Sequence, residues 1–250
     1  MGDANGSARE GGAGWNSDAE GKKLALMRAR VEEEEPAAKD VDDLMLRRFL
    51  RARDLDINKA SSLFLKYVKW RRTCVPKGFI SEEDIQNELS QDKLFTQGFD
   101  KKGRPIGVVL GGRHVYSKRS IDEFRRLVVY GLDKLCSRMP AGQEKFVFIG
   151  DIQGWKYSNC DIRAYLAALD IMQNYYPERL GKMFLIHVPY VFLKAWKIIY
   201  PFIDKNTRQK IVFVEDKNLK ETLLEDIEES QLPDIYGGML PLVRVQDYGK

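Results

Sequence analysis

The spacing of apolar residues changes part-way along the chain, and the change divides it. Leu24, Leu26, Met27 and Val31 predict a short helix from Asp18. The run Glu32–Glu35 with Pro36 reads as its solvated end or as a linker. From Val41, Leu44, Leu46, Phe49 and Leu50 recur on one side, with Arg47, Arg48, Arg51 and Arg53 on the other. Asp56 stands where a cap for the next helix belongs. Ile57, Ala60, Phe64, Tyr67 and Arg71 follow at three- and four-residue steps beside Leu63, Val68 and Trp70, and Pro76 and Gly78 close the segment.

Beyond that point short apolar runs alternate with helical patterns. Leu94–Thr96 and Pro105–Leu110 read as strands about a turn at Asp100–Arg104. Ser120 and Glu123 have capping-box spacing ahead of a helix carrying Ile121, Phe124, Leu127, Val128, Leu132, Leu135 and Met139. Lys145–Ile149 is apolar without alternation, which predicts a strand covered on both faces. A helix over 161–175, a strand over 183–188, a helix over 189–200 and a strand over 210–214 follow, and Asn218 and Glu221 are placed to cap a last helix. This alternation predicts an α/β fold with a mixed, mostly parallel sheet. The organisation is a Gly- and Ser-rich tail over 1–17, expected to be disordered, a helical lobe over 18–92 and an α/β lobe over 93–245.

Composition narrows the chemistry. With 250 residues, 31% charged and a net charge of +4, the chain is an ordinary globular protein, too weakly basic for a typical nucleic-acid binder. Three scattered cysteines (Cys74, Cys136, Cys160) fit neither a disulfide framework nor a zinc pattern, and suit a reducing cytoplasm. His114 and His187 have no ligand-spaced neighbours, so no metal is expected, and each reads as an ordinary strand residue. No apolar run reaches the about 18 residues of a membrane span. Gly2 lacks the Ser or Thr that myristoylation wants at position six, where Gly6 stands. Membrane contact is therefore expected to be peripheral.

Catalytic patterns are missing: there is no G-x-S-x-G elbow, no phosphate-binding P-loop and no G-x-G-x-x-G after a strand. Asp151 ends the buried strand, where α/β folds often place function. With Gly154 following, it reads more readily as a turn or capping acid. The segment from Pro189 to Tyr200 is apolar nearly all round, with only Lys194 and Lys197 on one narrow stripe. Such a helix is either a core helix with one wet edge or a lid that meets something apolar other than water. Tyr190, Trp196 and Tyr200 are types favoured at a membrane interface.

Several ordered blocks now coincide. They are Arg48-Phe49-Leu50-Arg51-Ala52-Arg53, Asp100-Lys101-Lys102-Gly103-Arg104-Pro105, Asn174-Tyr175-Tyr176-Pro177-Glu178-Arg179-Leu180-Gly181-Lys182, Pro201-Phe202-Ile203-Asp204 and Gly237-Gly238. Together they make the chain resemble the CRAL-TRIO lipid-binding family from Val41 to Gly238, closest to the secretory-pathway phosphatidylinositol-transfer proteins. The resemblance implies an N-terminal helical lobe, then a lobe whose sheet floors an apolar pocket gated by a helix. It implies a lipid carrier or presenter and not an enzyme, with a bound lipid, expected to be phosphatidylinositol, and no cofactor. It implies membrane phospholipids and lipid kinases as partners, a role in phosphoinositide signalling and vesicle traffic, a monomer, and a cytoplasmic location with transient membrane contact.

The resemblance assigns the phosphatidylinositol headgroup to Arg53, Glu178, Arg179, Thr207 and Lys210, and the gate to Tyr190, Phe192, Leu193, Trp196, Ile199 and Tyr200. Cations and a hydroxyl suit a phosphodiester, and a carboxylate suits ring hydroxyls. Without it, Arg53 reads as a surface charge and Glu178-Arg179 as a local ion pair. One departure stands out. Phe146 and Phe148 occupy positions where the family's dual-lipid members carry small hydroxyl residues, which argues against phosphatidylcholine and leaves room for a sterol or another apolar second ligand. A lipid-regulated sensor or adaptor is the alternative reading.

Overall fold

Short acidic side chains fix where the N-terminal helices begin. In the computed structural model, which describes residues 17–116 and 121–249, helix α1 spans Ser17–Glu34 and Pro36 opens a 3-10 turn. Its length exceeds the short helix expected. Helix α2, Asp43–Arg51, starts where Asp42 Oδ1 accepts from Met45 N at 2.6 Å. Helix α3, Ile57–Cys74, starts where Asp56 Oδ1 accepts from Lys59 N at 3.0 Å, as expected. The chain packs as two compact units, the first ending at Lys66 and the second beginning at Tyr67, a boundary that falls inside α3. In the first, Leu24, Met27, Val31, Leu46, Phe49 and Phe64 are buried, and Phe49 meets Phe64 edge-on at 5.2 Å. Leu26 and Leu44 are exposed, although the spacing grouped them with the apolar faces. The expected tail lies outside the described residues except for Ser17, which begins α1.

The second unit is built on a five-stranded sheet in chain order: β1 (Leu94–Phe99), β2 (Pro105–Leu110), β3 (Phe146–Asp151), β4 (Leu180–Ile186) and β5 (Ile211–Phe213). Strands β1 and β2 form an antiparallel hairpin, and the other pairings are parallel. The hairpin turn is set by Asp100, whose Oδ1 accepts from the amides of Lys102 (3.0 Å) and Arg104 (2.8 Å).

Helices α4 (Gln86–Leu89), α5 (Ile121–Ser137), α6 (Ile162–Tyr175), α7 (Tyr190–Ile199), α8 (Lys205–Arg208) and α9 (Leu219–Asp226) complete the described elements. Parallel strands taken in sequence through right-handed crossovers must carry their connecting helices on one face. Accordingly Phe146 and Phe148 pack with Leu127, Leu135 and Ile171 of α5 and α6, and Leu185 packs with Phe192 and Ala195 of α7. The alternate residues Val147, Ile149, Phe184 and Ile186 point the other way, against Leu223 of α9 and Leu232 and Tyr236 beyond it. All six residues of β3 are buried, which is why the strand shows no alternation.

Some expectations need correction. Neither His114 nor His187 is a strand residue: His114 follows a 3-10 turn after β2, and His187 follows β4 with φ at 49°. Asn218 holds the N-cap position of α9 but makes no side-chain capping bond. Ser120 lies outside the described residues. Strand β4 begins at Leu180, because Leu180 still pairs with Phe146 before the register shifts.

Candidate lipid-binding site

The turn between α6 and β4 carries the first group of site residues. Its root is fixed from α3: Trp70 stacks flat on Tyr175 with ring centres 3.9 Å apart, and Arg71 Nη2 pairs with Asp133 Oδ2 at 2.7 Å. Tyr176 also donates its hydroxyl to Asp133 Oδ1 at 2.7 Å. The two tyrosines of the Tyr-Tyr-Pro-Glu-Arg block thus hold the turn. Glu178 there has φ at 57°, an uncommon conformation for a residue with a side chain.

That conformation accompanies a pairing that spacing did not foretell. Glu178 Oε2 lies 3.5 Å from Lys210 Nζ, both side chains about four-fifths buried. Lys210 N donates to Thr207 O at 3.0 Å, so the hydroxyl residue sits one turn away. Thr207 belongs to α8, capped by Asp204, whose Oδ2 accepts from Thr207 Oγ1 at 2.6 Å. The local ion pair between Glu178 and Arg179 is therefore wrong. Arg179 turns away, with Nη1 donating to Glu144 O at 3.0 Å. The structure brings Glu178, Thr207 and Lys210 together and sends Arg179 elsewhere. Arg53 lies in the first unit, where its Nη1 donates to Ala52 O at 2.7 Å.

The helix-covered face of the sheet is apolar. The register places Gly107 and Val109, Phe148 and Gly150, Met183 and Leu185, and Ile211 and Phe213 side by side on it, with neither a hydroxyl nor a charge among them. Phe148 lies across Gly107: a Cβ on Gly107 would stand 2.6 Å from the ring, so only glycine leaves it room. Phe146 meets Phe148 edge-on at 5.2 Å. Phe146 has no accessible surface, whereas Phe148 retains 9% and Met183 of the next strand is half-buried. Phe148 and Met183 thus keep some accessible surface on the helix-covered face.

Helix α7 covers the β4–β5 side of that face. Phe192 and Ala195 point inward, Phe192 against Trp155 at 5.4 Å. Leu193, Trp196 and Ile199 are half-buried, Trp196 meeting Phe213 at 5.3 Å. Tyr190 is 79% exposed and Ile198 54%; Tyr200, Phe202 and Phe213 are exposed as well. Lys194 and Lys197 are exposed, and the helix carries no acid. The helix thus exposes apolar side chains beside its two lysines. A separate surface groove of about 1210 Å³, bounded by Phe79, Leu89, Tyr130 and Arg244, contains none of these residues.

Residues 89–238 match the CRAL/TRIO domain family. The chain belongs to that family. A CRAL-TRIO domain-containing protein of Saccharomyces cerevisiae is 31% identical over 79% of this chain and 71% of its own length. The SEC14 cytosolic factor of Candida glabrata is 32% identical over 91% of this chain and 80% of that protein. The Sec14 cytosolic factor of Schizosaccharomyces pombe is 31% identical over 79% and 75%. The crystal structure of Sfh5 superposes with a TM-score of 0.65 at 20% identity, covering 84% of this chain and 85% of that one, which supports the fold. CRAL-TRIO proteins of the Sec14 type are lipid-binding and lipid-transfer proteins and not enzymes. Glu178, Thr207, Lys210, Phe148 and α7 lie within the CRAL-TRIO match, and Arg53 lies outside it. Among the described residues no helix is long and apolar enough to cross a membrane.

Sequence reasoning missed the Trp70–Tyr175 stack, the Arg71–Asp133–Tyr176 network and the bonds of Asp151. A Trp-Arg pair closing one helix and a Tyr-Tyr pair closing another was the available signal for the first two.

Proposed function

We propose that this protein carries one phosphatidylinositol between the helix-covered face of the sheet and α7, and exchanges it at membrane surfaces. The observation that carries the reading is α7 itself: it buries Phe192 and Ala195, exposes Tyr190 and Ile198, and has lysines but no acids. One face suits a bound chain. The other suits the headgroup region of a bilayer, with Lys194 and Lys197 laying their stems along the apolar surface. A closed site is needed because a two-chain lipid has on the order of 30 methylenes at roughly 0.8 kcal/mol each, about 25 kcal/mol against free passage through water.

Glu178, Lys210 and Thr207 would take the inositol ring and phosphate, where an acceptor, a cation and a hydroxyl stand together. The family motif alone supports Arg53 and Arg179. Phe148 offers no hydrogen bond to a choline lipid and fills space at the floor. Presentation of the bound lipid to lipid kinases follows as the consequence for phosphoinositide metabolism. The test is to incubate the purified protein with vesicles of equal phosphatidylinositol and phosphatidylcholine, reisolate it and identify the bound lipid by mass spectrometry. Phosphatidylinositol is expected at about one per protein. Equal loading of the two lipids would refute the assignment.

A further inference from the structure

Asp151 closes the central strand, and its carboxylate serves three donors. Gln153 N donates to Oδ1 at 2.9 Å, His187 Nδ1 approaches Oδ1 at 2.9 Å, and the Tyr236 hydroxyl donates to Oδ2 at 2.9 Å. In the tautomer with its proton on Nδ1, His187 donates to this carboxylate. Burial, then the neighbouring Asp151 charge, pushes the Tyr236 phenol well above its usual range, so it remains a donor. Asp151 and Tyr236 are buried to about the same degree, whereas the His187 side chain is 23% exposed. Two members are thus held in the core, one from β3 and one from the C-terminal segment on the opposite face. The third is the most exposed of the three.

The third member stands at the root of α7. Ile186 ends β4, and Pro189 precedes the first residue of α7. Pro189 has a fixed φ, and Val188 before a proline is restricted to extended conformations. Rotation between β4 and α7 is therefore concentrated at His187. That residue has φ at 49°, a conformation that non-glycine residues keep when their surroundings hold them there.

We infer that Asp151, His187 and Tyr236 form a latch on the root of α7, and that His187 is a positioning residue whose release from Asp151 lets the lid swing. The inference rests on reading α7 as the lid. Nothing in it depends on which lipid is bound.

The experiment compares the full chain with H187A, H187N and Y236F. Hydrogen exchange is followed in residues 189–200 and 146–151 without lipid, together with release of a fluorescent phosphatidylinositol to acceptor vesicles. H187A is expected to speed exchange in 189–200 and lipid release by about tenfold, the size of one lost charge-assisted hydrogen bond, with 146–151 unchanged. H187N, which keeps a donor and tolerates the left-handed conformation, is expected to restore near wild-type values. Unchanged exchange in 189–200, or an equal rise in 146–151, overturns the latch in favour of simple support of the strand ends. Should H187A fail to fold, Y236F is read on the same two segments, with a smaller rise expected in 189–200 alone and the same overturning results. A latch confirmed by exchange in a protein that loads no phosphatidylinositol would count against the lipid assignment alone.

Discussion

Lys210 and Glu178 come from different crossovers and meet at 3.5 Å. As a partly exposed ion pair they add at most about 1 kcal/mol to stability. As ligands they would each supply a charged hydrogen bond of roughly 1.5–3 kcal/mol. Lys210→Ala and Glu178→Ala are therefore expected to lower phosphatidylinositol loading by about tenfold or more each, while the melting temperature moves by only about 4 °C. Unchanged loading in a folded double variant would remove these residues from the site. A second residue effect is unrelated to lipid. His114 is buried with Lys93 Nζ 2.9 Å from its Nδ1, and burial first, then the lysine charge, pushes its pKa down to about 4. Between pH ~6.5 and ~4 the unfolded chain binds a proton that the folded chain refuses, so stability falls as the pH drops through that window, by up to roughly 3 kcal/mol. Above and below the window this group contributes no slope. Urea midpoints at pH 7 and 4.5 should separate more in wild type than in His114→Gln. Equal separation would contradict the account.

Among elements, α7 and β3 make opposite demands. Trp196 is half-buried on α7 and reaches Phe213. Trp196→Glu is expected to cut lipid exchange by about tenfold or more, because a charge opposes insertion into the interface, while costing little in melting temperature. A core helix would give the reverse, a large loss of stability. Adding vesicles should raise hydrogen exchange in 190–199 and leave the strand around Val147 protected. On β3, Phe146 has no accessible surface, so Phe146→Ala is expected to cost about 3–5 kcal/mol. Phe148→Thr should cost less and raise phosphatidylcholine loading. The reverse order in a denaturant series would show that the two rings exchange roles. Elements were legible where one force dominates. Strand β3 announced itself because both faces are covered, α2 because its apolar residues recur on one side, and α3 because Asp56 caps it. The Glu178–Lys210 pair and the Asp151–His187–Tyr236 network were not legible, because each joins segments that only the sheet order brings together. The capping role given to Asn218 failed because its backbone, at φ −113° and ψ 12°, is not in the extended conformation of a capping residue.

For the whole molecule, chain-ordered strands with crossovers on one face leave one side of the sheet to α5, α6 and α7 and the other to α9 and the C-terminal segment. The first side, floored by Gly107, Phe148 and Met183, is the one to which the proposed function assigns the lipid chain. The second is a packed core. Division of labour between the faces requires that the lid move without unfolding the floor, and that exchange occur at a membrane and not through water. Transfer of labelled phosphatidylinositol and phosphatidylcholine from donor to acceptor vesicles by the wild-type protein tests this most directly. The expected result is transfer of phosphatidylinositol that saturates with protein, with phosphatidylcholine slower by about tenfold or more, the discrimination that unpaired polar groups in a fitted site produce. Equal rates for the two lipids, or a protein that loads phosphatidylinositol and fails to deliver it, would contradict the carrier account.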